Sequence, residues 1–198
     1  MDNHILRVEG SLGKEECEKM RNIFHDKRIS QFKDKGPKNK YCKDRNIYYY
    51  EFISVNVATS PFLKSLQSGL KIYIDKYSFL KTRAFEISDV CNIQRYKPGK
   101  SYSREHDENS SGLVSESFRM LAWMFYLNTV ENGGGTCFPQ QDLKVKAREG
   151  DLYIWPAGWT HSHYGLYSEV SEKYIITGWC NYLNEKQREM KLNTTLNL

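Results

Sequence analysis

The sequence predicts a mainly β α+β domain: a jelly-roll-like barrel in the C-terminal half, supported by two helices from the N-terminal half. Three observations carry this reading. From about Phe85 onward, short β-prone runs at 91–96, 120–127, 143–145, 152–155 and 174–179 alternate with turn signals. The turns are Lys97-Pro98-Gly99, Asn132-Gly133-Gly134-Gly135, Arg148-Glu149-Gly150-Asp151 and Pro156-Ala157-Gly158, and many short, closely spaced strands are the pattern of a sandwich or barrel. Before residue 85, two stretches carry apolar side chains at helical spacing. The third observation is size: 198 residues, 39% hydrophobic and 14% aromatic, suit one domain with a substantial core.

Taken in order, residues 5–8 form a short extended piece. Ser11 is placed to cap a helix over 13–25, with Cys17, Met20, Ile23 and Phe24 on its inner side. Residues 33–40 are rich in Lys, Gly and Pro and have no apolar anchor. They predict a mobile surface segment reaching to Arg45, either a solvated linker or a lid beside a binding site. Residues 47–57, dense in Tyr, Phe, Ile and Val, predict one or two strands. Ser60-Pro61 starts a second helix as N-cap and N1, with Leu63, Leu66, Leu70, Ile74 and Tyr77 as its apolar stripe. The run Gly133–Gly135 suits a tight turn with positive φ and a close backbone approach. Trp123, Trp155 and Trp159 are expected in core or barrel-mouth packing, and Trp179 beside the site. There is no internal repeat or low-complexity segment.

Several function classes fall away. No apolar run approaches the ~18 residues of a membrane span, and the N-terminal residues lack a basic and then apolar leader pattern. With 29 basic and 24 acidic side chains, the net charge of +5 is well short of a dedicated nucleic-acid binder. The five cysteines, Cys17, Cys42, Cys91, Cys137 and Cys180, are scattered and odd in number. They are expected reduced and buried, in a cytoplasmic setting. The sequon Asn193-Thr194-Thr195 reads as a chance match.

The chemistry lies in the second half. In an extended segment, His106 and Glu108 at i and i+2 project to one face while Asp107 points to the other. A histidine and carboxylate so placed form the local half of a 2-His-1-carboxylate triad, the geometry suited to non-haem Fe(II). The second histidine must come from elsewhere, and Thr160-His161-Ser162-His163 offers two candidates on one strand face. Such a triad leaves three metal positions, two for a bidentate 2-oxo acid and one for dioxygen. The far carboxylate of that acid needs a cation, and Lys173 lies in an apolar β-prone run where lysine is uncommon.

These residues, taken together, carry a family resemblance. The series Gln94-Arg95-Tyr96, Pro98-Gly99, Tyr102, His106-Asp107-Glu108, Arg119, Tyr126-Leu127-Asn128, Gly133-Gly134-Gly135-Thr136, Phe138-Pro139, Gly150-Asp151, Trp155-Pro156-Ala157, His163, Lys173 and Thr177-Gly178-Trp179 resembles the prolyl 4-hydroxylase-like 2-oxoglutarate/Fe(II) dioxygenase superfamily. Its ending is similar to the small oxygenases of tailed phages and some bacteria. The resemblance implies a double-stranded β-helix (jelly-roll, cupin-like), with 1–84 as buttress, 85–183 as catalytic barrel core and 184–198 as tail of a single domain.

It further implies iron held by His106, Glu108 and His163, and Lys173 paired with the C5 carboxylate of 2-oxoglutarate. Tyr96 and Tyr126 would hydrogen-bond that cosubstrate, with Thr136 and Trp179 lining its pocket. The ten-residue spacing to Lys173 favours His163 over His161, which becomes a neighbouring support or a substrate-side residue. Glu108 stands where family members more often carry Asp, and Tyr167 where a proline is common. The implied activity is hydroxylation of an unactivated C–H with Fe(II), 2-oxoglutarate and O2, releasing succinate and CO2, with ascorbate as a candidate reductant. The implied partner is a peptide, protein or small-molecule substrate, peptidyl-proline first, in the cytoplasm or, for a phage protein, the host cytoplasm. Two rival readings are a nucleic-acid-directed oxygenase, suggested by the basic 33–45 segment, and a non-enzymatic jelly-roll module for a metal or sugar.

Overall fold

The computed structural model describes residues 2–26, 43–49, 60–99 and 118–183. In chain order its elements are β1 (Leu6–Val8), α1 (Lys14–His25), β2 (Lys43–Tyr49), α2 (Pro61–Lys76), β3 (Phe85–Tyr96), β4 (Arg119–Tyr126), β5 (Thr136–Phe138), β6 (Leu143–Val145), β7 (Leu152–Pro156), β8 (Tyr164–Gly165) and β9 (Lys173–Tyr182). Short 3-10 turns occupy Ser78–Thr82, Pro139–Gln141 and Trp159–His161. The strands form a six-stranded antiparallel sheet ordered β1-β7-β4-β9-β3-β2 and a three-stranded sheet ordered β6-β5-β8. No helix among the described residues is long and apolar enough to cross a membrane.

Both helices form where the sequence places them, with local differences. The Ser60 hydroxyl accepts from the Leu63 amide and Pro61 opens α2, as expected of an N-cap and N1. The buried stripe is Phe62, Leu63, Leu66, Gly69, Leu70 and Tyr73. Ile74 is only half-buried and Tyr77 ends the helix, because the inward face rotates toward Tyr73. Ser11 does not cap α1. Gly13 holds that position, and the Ser11 hydroxyl instead lies 2.6 Å from that of Ser65 on α2.

The large sheet divides its side chains by strand alternation. On one face, Ile93, Trp123, Phe125, Leu152, Ile154, Tyr174 and Ile176 pack against Met20, Phe24, Phe62, Leu66 and Leu70 of the helices. On the other, Tyr96, Ala122, Met124, Tyr126, Tyr153, Trp155 and Ile175 meet Phe138 and Val145 of the small sheet. This second cluster is the inside of the barrel. The turn after Val130 passes through Gly133 and Gly134 at φ of 81° and 70°, the left-handed region where glycine carries no steric cost. Cys17, Cys91, Cys137 and Cys180 are buried free thiols, as anticipated, and Cys42 lies outside the described residues.

Three expectations need correction. The segment read as a loop to Arg45 is already strand from Lys43, paired with Tyr96, Arg95 and Gln94 of β3; the rest of 33–42 lies outside the described residues. Trp159 is 75% exposed rather than packed. His161 and His163 do not share a strand face: His161 closes a 3-10 turn, and His163 precedes β8. The physical cause is Pro156-Ala157-Gly158, which ends β7 and turns the chain before either histidine is reached.

Candidate active site

The two histidines are held in different ways. The His161 Nε2–H donates to the Asn3 carbonyl at 2.9 Å, which leaves Nδ1 to accept from the Thr160 hydroxyl at 2.9 Å. Both ring nitrogens are thereby engaged with the protein, and burial lowers the His161 pKa below its ordinary value. His163 presents the other tautomer. Its Nδ1–H donates to the His161 carbonyl at 2.9 Å, so Nε2 carries the lone pair. A ligating imidazole whose second nitrogen donates to a backbone carbonyl is the usual arrangement at a protein-bound metal. The ring is fixed between Phe138 and Trp155, with centroids 5.3 and 5.0 Å away. His163 shares a small cavity with Ala122, Ala157, Thr177 and Trp179.

Deeper in the barrel, Lys173 is 2% exposed and projects from β9 toward β8. Its Nζ lies 4.2 Å from the centre of the Tyr96 ring. A Cβ at Gly165 would sit 2.9 Å from the same nitrogen, so the glycine makes room for the ammonium. Gly165 pairs with Thr136 across the small sheet, and the Thr136 and Tyr126 hydroxyls are 2.7 Å apart. Burial raises the Tyr126 phenol, keeping it neutral and able to donate. The Tyr96 hydroxyl donates to Gln94 Oε1 at 2.6 Å. Lys173, beside the Tyr96 ring, thus lies against Gly165, two residues along the chain from His163, and Gly165 pairs with Thr136, which meets Tyr126. A buried cation, with hydroxyls on the strands that adjoin its neighbour Gly165, suits a carboxylate.

Trp179 stands at the other end of this face, with the Arg119 guanidinium 3.8 Å over its ring. His106, Asp107 and Glu108 lie outside the described residues. Among the described residues no group of three His, Cys, Asp or Glu side chains gathers into a metal site. Sequence reasoning missed Gly165, whose only signal is an ordinary Tyr-Gly pair, and Asn92, a buried polar residue inside an apolar-looking strand.

Comparisons with known proteins agree with this barrel. Residues 91–181 match the 2OG-Fe(II) oxygenase superfamily. Prolyl 4-hydroxylase subunit alpha-1 of Gallus gallus is 24% identical over 154 residues, which covers 73% of this chain and 29% of that protein. The chain therefore spans less than a third of the length of that relative. Among solved structures, the viral collagen prolyl hydroxylase of Paramecium Bursaria Chlorella virus-1, determined as a 2OG complex, superposes with a TM-score of 0.62 at 18% identity. It covers 92% of this chain and 97% of that one. A Pseudomonas putida prolyl-4-hydroxylase superposes with a TM-score of 0.61 at 16% identity, covering 91% and 94%. The double-stranded β-helix expected from the sequence is the fold of these neighbours. Just under half of the chain, residues 91–181, thus matches the 2OG-Fe(II) oxygenase superfamily, and the chain is similar in sequence to the prolyl 4-hydroxylases and in fold to their solved structures.

Proposed function

We propose that this protein hydroxylates an unactivated C–H of a peptide or protein, peptidyl-proline first, consuming 2-oxoglutarate and O2 and yielding succinate and CO2. The observation that carries it is the buried Lys173 ammonium beside Gly165, a residue of the strand that follows His163 and the register partner of Thr136, whose hydroxyl meets that of Tyr126. In this reading His163 Nε2 joins His106 and Glu108 in holding iron, and the His161 carbonyl keeps the His163 ring in the ligating tautomer. Lys173 pairs with the distal carboxylate of 2-oxoglutarate, the linked Tyr126 and Thr136 hydroxyls have one proton left to donate to it, and the Tyr96 ring covers the ammonium. Trp155 and Phe138 exclude water around His163. Iron held there supplies the redox chemistry that divides dioxygen between succinate and the substrate hydroxyl. The atoms balance: R–H, 2-oxoglutarate and O2 give R–OH, succinate and CO2. Prolyl hydroxylation is favoured by the names of the relatives and neighbours above.

The test is turnover with Fe(II), 2-oxoglutarate and ascorbate against proline-containing peptides, oligonucleotides and amino-acid metabolites. The expected result is succinate formation stimulated by the peptides, with a matching gain of one oxygen atom. Oxygen gain on the oligonucleotides alone would move the substrate class to nucleic acid. No succinate under any condition would return the barrel to a binding module.

A further inference from the structure

Asn92 is 3% exposed, and its Oδ1 is buried without a hydrogen-bond partner among the described groups. It lies on β3 between Cys91 and Ile93, which both pack on the helix side of the sheet. Strand alternation therefore turns Asn92 to the barrel interior, with Gln94 and Tyr96. In register it stands opposite Thr177 of β9, whose own neighbour on β4 is Met124. Thr177 lines the cavity that holds His163 and Trp179, but its hydroxyl is spent on the Trp123 carbonyl at 2.6 Å. Gln94, the next polar residue on the strand, is satisfied by the Tyr96 hydroxyl. Asn92 thus presents an uncommitted carbonyl oxygen at the level of the cavity. A buried acceptor left unpaired is costly to the folded state, so its presence in a dry barrel asks for a donor that arrives with a ligand.

We propose that Asn92 is a positioning residue whose carboxamide oxygen accepts from an N–H or O–H donor of whatever occupies the barrel beside Thr177 and His163. The 2-oxoglutarate dianion carries no such donor. The donor is then either a water held at the metal position or the substrate to be hydroxylated. The inference rests on the function proposed above.

The experiment compares thermal unfolding of the wild type, Asn92→Leu and Asn92→Ala. Each is measured unloaded, with Mn(II), with Mn(II) and 2-oxoglutarate, and with both plus a Pro-Pro-Gly repeat peptide. Unloaded Asn92→Leu should melt about 2–4 °C above the wild type, because an unpaired buried acceptor has been replaced by an apolar group of similar size. Ligand binding by both variants should weaken by about tenfold, the scale of one lost hydrogen bond. Weakening already present with Mn(II) alone assigns the donor to water; weakening that begins only with the peptide assigns it to the substrate. If the variants bind every ligand as the wild type does, or unloaded Asn92→Leu melts lower, the assignment is overturned. A wild type that none of the ligands stabilises would instead count against the proposed function.

Discussion

The two faces of the six-stranded sheet are built from the same strands and do different work. On the helix side, alternate residues of β3, β4, β7 and β9 are apolar and meet apolar residues of α1 and α2. On the barrel side, the residues between them include Asn92, Gln94, Tyr96, Tyr126, Lys173 and Thr177, all buried and polar or bearing a polar tip. Burying such groups is unfavourable unless each finds a partner, whereas the helix side asks only for shape and area. One strand such as β9 therefore carries stability at Tyr174 and Ile176 and candidate chemistry at the directly adjacent Lys173 and Thr177. Substitutions on the two faces should separate stability from binding.

The largest expected effect is on the barrel side. His163→Ala should lose metal by at least ~100-fold in affinity, beyond the ~10–100-fold that outer partners of a metal ligand are worth. His161→Ala should lose no more than about tenfold, because it is the backbone carbonyl of His161 that orients His163, and that carbonyl survives the substitution. Metal content of the two variants, measured side by side, checks this; the reverse order would exchange the two histidines.

On the helix side, Leu66→Ala should cost about 2–5 kcal/mol of stability, the range for a large side chain removed from a packed core. Its affinity for 2-oxoglutarate in the presence of Mn(II) should stay within about twofold of the wild type, as expected for sites without shared partners. Denaturant unfolding and calorimetry on the same preparation give both quantities, and a parallel loss of affinity would mean that the faces are coupled.

A smaller effect concerns pH. Burial lowers the His161 pKa in the folded protein below its ordinary 6.5. The unfolded chain then binds the proton more readily, so this histidine contributes stability that is present above about pH 6.5 and lost as pH falls through the folded value. The melting temperature should drop on acidification below that point, and His161→Gln should show a shallower drop. An identical slope in both proteins would remove His161 from the account.

How much of this could be read from the sequence depended on whether the signal was local. Ser60-Pro61 announces α2 because capping is a property of adjacent residues, and the strand expected over 143–145 is β6. Lys173 stood out because a lysine between apolar β-formers must be explained. β8, at two residues, is too short to show alternation. The shared strand face assigned to His161 and His163 failed because period-two reasoning was carried past Pro156, where the strand ends. Gly165 and Asn92 gain their meaning only from what lies across the barrel: an ammonium in one case, and the row shared with Thr177 in the other.

The claim that the barrel face holds a 2-oxo acid at Lys173 is tested most directly by calorimetric titration of 2-oxoglutarate into the Mn(II)-loaded wild type and Lys173→Met. The side chains are similar in length, and only the buried cation is removed. The account predicts clear binding to the wild type and a loss of at least ~30-fold in the variant, the lower end of what removing one partner of a buried charge pair costs, with Mn(II) binding retained. Equal affinity for 2-oxoglutarate in the two proteins would contradict it.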